Sequence, residues 1–104
     1  MPEQSPRTGG RPRGSTSFDP IAARAFGRAV RDLRQAKGLA QEALALVAGV
    51  DRGFMGHLER GTRQPSLNVM LKIARALECS PTTLMGAVEE HLGAIPDRAI
   101  PTQE

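Results

Sequence analysis

Apolar and polar positions alternate most clearly between Gln41 and Arg60, QEALALVAGVDRGFMGHLER. Leu44, Ala48, Val50, Met55 and Leu58, with the small Ala45, fall three and four residues apart on either side of Gly49, giving each half one buried face. Gly49 can take the left-handed conformation that ends one helix and turns the chain sharply into the next. Ala45 suits a crossing where two helices approach too closely for a larger side chain. Two short helices hinged at a glycine are therefore predicted.

The same periodicity runs on in both directions. Asp19-Pro20 reads as an N-cap and first helical residue, opening a helix over residues 20–37 that buries Ile21, Phe26, Val30 and Leu33 and stops at Gly38. Asp51 is the expected cap of the second hinged helix. Ser66 caps a fourth helix with Leu67, Met70, Leu71, Ile73, Ala74 and Leu77 all read as core. Ser80-Pro81 opens a fifth, with Leu84, Met85, Val88 and Leu92 in one stripe. The fold class is all-α, with five helices in one domain over residues 18–93. Residues 1–17, rich in Pro, Gly, Ser and Arg, read as a disordered basic arm, and residues 94–104, with Pro96 and Pro101, as a flexible tail.

Composition narrows the functional classes. Three Phe and no Trp or Tyr leave an aliphatic core, and stability is expected to be modest. The longest apolar run, residues 43–50, is far too short to span a bilayer. The N-terminus lacks an apolar signal core, so a cytoplasmic location and no membrane partner are expected. A single cysteine, Cys79, permits no internal disulfide and no metal cluster. It stands where the helical pattern wants an apolar residue and reads as a core thiol rather than a redox sensor. His91 neighbours Glu89 and Glu90, but adjacent helix residues do not face each other. No phosphate-cradling glycine loop, metal-ligand spacing or nucleophile-histidine motif emerges. Neither an enzyme nor a cofactor is expected.

The net charge of +3 is unevenly spread: residues 1–17 carry +2, residues 18–77 carry +5 and residues 78–104 carry −4. The hinged pair thus lies in the basic part, as contact with a phosphate backbone requires. The acidic C-terminal part is not expected to lie on DNA.

The run from Phe26 to Met85 resembles the Cro and lambda-repressor type of helix-turn-helix domain, the xenobiotic-response-element family of bacterial regulators. The likeness is carried by Leu33-Arg34, Lys37-Gly38-Leu39, Gln41 and Gly49, Glu59-Arg60-Gly61, Pro65-Ser66-Leu67 and Leu71-Lys72-Ile73-Ala74. The resemblance implies a lambda-repressor-like DNA-binding domain in which Arg34 forms a partly buried pair with Glu59 and Gln41 contacts a phosphate oxygen. It also implies a last helix that supplies the dimer contact, making Leu84, Val88 and Leu92 candidates for a two-fold interface. Two departures stand out. Ala40 and Ala43 replace the usual capping pair, at a cost of roughly 0.5 to 2 kcal/mol. Leu46 and Val47 replace exposed charged residues; they either pack under the Phe18 and Ile21 extension or form an apolar patch that a partner covers.

On the recognition helix, a 3.6-residue period turns Arg52, Gly53, Gly56 and His57 outward, with Arg60 just past the end. In this docking the helix N-terminus enters the major groove. Arg52 is the expected reader of guanine, since its fork can bond O6 and N7 together. His57 can meet a base acceptor or a phosphate, or idle at the surface. Gly53 and Gly56 each cost about 0.8 to 1 kcal/mol in a helix, which close approach to bases would explain and sequence drift would also permit. The run Asp51-Arg52-Gly53-Phe54-Met55-Gly56 resembles the recognition helices of restriction-modification controller proteins. After it, Arg60, Thr62, Arg63 and Gln64, with free backbone amides, are expected to meet phosphates. Arg11 and Arg13 sit in a Gly-Arg-Pro core similar to AT-hook peptides that enter a minor groove; a plain basic tail is the alternative.

These readings converge on a transcriptional regulator, without a separate effector domain, that binds a two-fold operator on double-stranded DNA as a homodimer. It would repress by covering a promoter or activate by touching RNA polymerase. The alternative is a protein-interaction module of the same fold, such as an antitoxin or a coactivator bridging factor.

Overall fold

Asp19 accepts hydrogen bonds from the Ile21 and Ala22 amides and, with Pro20 behind it, starts α1, Pro20–Ala36. The computed structural model describes residues 18–93. Within them follow α2, Gln41–Ala48; α3, Arg52–Arg60; α4, Leu67–Ala76; and α5, Pro81–Leu92, with no strand among the described residues. The expected arm, with Arg11 and Arg13, and the expected tail lie outside the described residues.

Local chemistry sets each boundary. Gly49 (φ 72°) ends α2 and Gly61 (φ 78°) ends α3 in the left-handed region, which a Cβ would strain. Asp51, Ser66 and Ser80 each cap a helix by accepting from the amide three residues on. Ala40 offers α2 no side-chain cap, as expected from its methyl group. Between α4 and α5 no glycine is present, and Glu78 itself takes the left-handed conformation (φ 58°) while its carboxylate pairs with Lys37.

α1 packs against α3 and α5, and α2 packs against α3 and α4. Their shared core is Phe26, Val30, Leu44, Met55, Leu58, Ile73, Leu77, Leu84 and Val88, filled in by Ala25, Ala29, Ala45, Ala48 and Ala74. α1 and α3 meet closely at Gly27. A Cβ there would press into the carbonyl oxygens of Leu58 and Glu59.

Several expectations are corrected by this packing. Leu46 and Val47 are 82% and 67% exposed, not covered by the start of α1. The first turns of α1 lie instead beside the loop after α3, where Gln64 Oε1 accepts from the Asp19 amide at 2.8 Å. α2 directs Leu44, Ala45 and Ala48 inward and leaves the opposite edge to solvent. Ile21 sits exposed at the rim. Leu67 and Leu71 are also exposed, because they border an open groove between α4 and α5 rather than the core. Leu84 and Val88 are buried within this chain and close the core. They are therefore unavailable for a subunit contact, and only Leu92 of that trio is partly accessible. Cys79 is half-buried; burial pushes its thiol above the ordinary value and the Lys37 charge opposes this. The unreactive thiol form therefore prevails at neutral pH.

Gly27→Ala is expected to lower stability by about 1 to 3 kcal/mol or more, since backbone carbonyls rather than a flexible side chain oppose the methyl group. Urea unfolding of the two proteins measures this difference.

Candidate nucleic-acid interface

Glu59, at the end of α3, carries a side chain with 0% exposure. An unpaired buried carboxylate would be costly, and three side chains from other helices meet it. Arg34 of α1 donates through Nε to Oε2 at 2.7 Å and through Nη2 to Oε1 at 3.0 Å. Gln41, the first residue of α2, donates through Nε2 to Oε1 at 2.9 Å. Arg31 approaches the same oxygen at 3.7 Å from the solvent side. Arg34 Nη1 also donates to the Leu39 carbonyl at 2.7 Å, holding the turn between α1 and α2. The hydrogen bond to Glu59 is the main influence raising the Arg34 pKa, with burial opposing it and the Glu59 charge assisting. A raised basic pKa means that the pair's contribution is complete at neutral pH and is lost only in strong alkali.

This network fixes how α2 and α3 stand. Asp51 caps α3, leaving Arg52 exposed in its first turn. Arg52 Nη1 donates to Glu42 Oε2 at 3.0 Å, so the guanidinium is steered by α2. The sequence reading missed Glu42, because the two residues belong to different helices and no fixed spacing links them. Gly53 is exposed beside Arg52, where a Cβ would meet only the Asp51 carboxylate at 3.2 Å.

Gly56 is different. It is buried beneath Arg60 and Gln41, with an added Cβ lying 3.1 Å from Arg60 Nη1 and 3.5 Å from Gln41 Oε1. The expectation that it faces bases is therefore corrected: its missing side chain makes room for two neighbouring side chains. His57 is half-buried and bonded to Thr62, while Arg60, Thr62 and Arg63 are exposed. The Gly61 and Thr62 amides close α3 by donating to Leu58 and His57 carbonyls, so neither is a free donor. Gln64 is exposed as well, and its Oε1 accepts from the Asp19 amide at the start of α1.

The face thus brings together Arg52, Gly53, His57, Arg60, Thr62 and Arg63, with Gln41 half-buried at its edge. It combines a fork-shaped cation at a helix N-terminus with a loop of further cations, an arrangement suited to base edges flanked by phosphates. Among the described residues no cluster of His, Cys, Asp or Glu could hold a metal ion, and no helix is long and apolar enough to cross a membrane.

Known proteins share the helical fold. The Helix-turn-helix family matches residues 30–84. Control protein C.BamHI of Bacillus amyloliquefaciens is 39% identical over 61 residues, covering 58% of this chain and 75% of that protein. The crystal structure of the restriction-modification controller protein C.AhdI from Aeromonas hydrophila is similar with 48% identity and a TM-score of 0.58, over 60% of this chain and 94% of that one. The clp gene regulator ClgR of C. glutamicum is similar with 27% identity and a TM-score of 0.65, over 74% and 96% of the two chains.

Arg34→Ala is expected to cost on the order of 3 to 5 kcal/mol, because it strands the Glu59 carboxylate. Arg34→Lys, which keeps the charge but not the fork, should recover only part of that loss. Thermal and urea unfolding of both variants test the ranking.

Proposed function

The chain belongs to the Helix-turn-helix family, in its Cro and lambda-repressor form of DNA-binding transcriptional regulator, and from that premise we propose that it reads a two-fold operator as a homodimer. The observation that supports this most is the exposed first turn of α3. It presents Arg52 beside Glu42 while the Arg34–Glu59–Gln41 network holds both helices behind it. Arg52 bonds guanine O6 and N7, a contact worth about 1 to 3 kcal/mol of discrimination. Gln41, Arg60 and Arg63 meet phosphates and set the register. The basic residues 1–17, with Arg11 and Arg13, add phosphate attraction outside the domain at residues 18–93.

Half-sites about 34 Å apart require a second copy of the chain. Since Leu84 and Val88 are core residues, the two-fold contact falls to Leu67, Leu71 and Met85. These exposed side chains border an apolar groove of about 160 Å³ between α4 and α5. The family is regulatory rather than enzymatic, and this protein acts by occupying a promoter. The named control proteins among its relatives support a switch of this kind.

The exposed Leu46 and Val47 favour a second reading, in which α2 holds a protein partner such as RNA polymerase or, in place of DNA regulation, a toxin. Their contiguity on one edge of α2 is what a partner would cover.

Selection from a random duplex library, with wild type and Arg52→Ala at two salt concentrations, tests the reading. A palindromic site is expected for wild type, with preference lost at one base pair per half-site in the variant. Leu71→Glu should halve the mass seen by sedimentation and weaken binding to the full palindrome. Enrichment of no site, with binding that salt abolishes, would turn the search to the partner of Leu46, using Leu46→Asp as the control.

A further inference from the structure

His57 is held on one edge of its ring. Its Nδ1 lies 2.8 Å from Thr62 Oγ1, and the same hydroxyl lies 3.2 Å from the His57 carbonyl oxygen. A carbonyl can only accept, and a hydroxyl has one proton to give. If Thr62 donates to the carbonyl, its lone pairs face Nδ1, and the shorter contact is a hydrogen bond when Nδ1 carries the hydrogen. If Thr62 donates to Nδ1 instead, the carbonyl contact is forfeited. The first arrangement satisfies both contacts. Arg60 Nη2 pulls the other way, but from 3.5 Å, at the outer limit of a hydrogen bond.

With Nδ1 protonated, the neutral ring presents Nε2 as an acceptor, and Nε2 has no partner among the described residues. Resting on the reading of α3 as the groove helix, we infer that Thr62 locks this tautomer and thereby makes His57 a reader of exocyclic amines. In the major groove an acceptor is matched only by N4 of cytosine or N6 of adenine, and it is repelled by N7, O6 and O4. His57 therefore complements Arg52: the guanidinium selects acceptors and the imidazole selects a donor. Thr62 acts as a positioning residue through its hydroxyl rather than as a phosphate contact. The loop after α3 thus carries sequence information although it touches no base.

The spectroscopic arm uses the free, 15N-labelled full chain with His91→Gln, so that one imidazole remains, in mildly alkaline buffer. Long-range 1H–15N spectra distinguish a pyrrole-type Nδ1 from a pyridine-type one. Wild type and Thr62→Ser are expected to show protonated Nδ1, and Thr62→Val is expected to shift toward protonated Nε2. The binding arm selects duplexes from a random library with wild type, Thr62→Ser, Thr62→Val and His57→Ala. One base pair per half-site should present its amine at the same position for wild type and Thr62→Ser. That preference should fall on the order of tenfold or more in the other two.

Protonated Nε2 in the wild-type spectrum overturns the tautomer assignment while leaving operator binding untouched. Protonated Nδ1 with an unchanged preference in His57→Ala or Thr62→Val overturns the amine reading. A wild type that selects no site removes the parent function and the amine reading together, and the spectrum still judges the lock.

Discussion

A carboxylate that water cannot reach organises this domain. Glu59 closes α3, and its charge is tolerable inside only because Arg34 from α1 and Gln41 from α2 meet it at hydrogen-bonding distance. Three helices are thereby tied at one point. The fork geometry of the guanidinium adds direction to the attraction, since two parallel bonds resist rotation where one would not. Gly27 allows the approach by leaving space for the α3 carbonyls, and the Arg34 bond to the Leu39 carbonyl holds the intervening turn. An apolar contact of the same size would supply stability but not this fixed angle between α2 and α3.

That angle decides what the outer face can do. α3 presents its N-terminal turn because Asp51 caps it and α2 lies behind it. The side chains on this face are steered by partners of their own: Arg52 by Glu42, and His57 by Thr62. Surface contacts of this sort add little to stability. Their value lies in presenting donors and acceptors in a narrow range of directions before any partner arrives. Gly56 belongs to the same design, because the space it leaves lets Gln41 and Arg60 cross over α3.

Much of the framework was legible in the sequence. Asp19, Asp51, Ser66 and Ser80 announce helix starts by a local mechanism, and Gly49 announces the hinge, so neither needs knowledge of the packed structure. The Arg34–Glu59 contact came from resemblance to a family; a separation of 25 residues carries no periodic signal. Leu46, Leu67 and Leu84 mark where legibility ended. Periodicity tells which residues share a helix face, but not which face meets a neighbour, and five short helices in a small domain cannot cover every apolar edge. Leu67 and Leu71 thus border an open groove, while Leu84 and Val88 turn into the core. Glu42 and Thr62 were missed as partners of Arg52 and His57, because each pairing depends on how one segment lies across another.

The most direct test of the tie at Glu59 is the affinity of an Arg34→Met, Glu59→Leu double variant for the selected operator, measured with its unfolding curve. Exchanging a buried ion pair for apolar groups can leave stability intact. If the pair serves to set the angle of the reading helix, the double variant should stay folded while its preference for the operator over random duplex falls at least tenfold. A folded double variant with wild-type preference would contradict the account, because apolar packing alone would then be enough to orient α3.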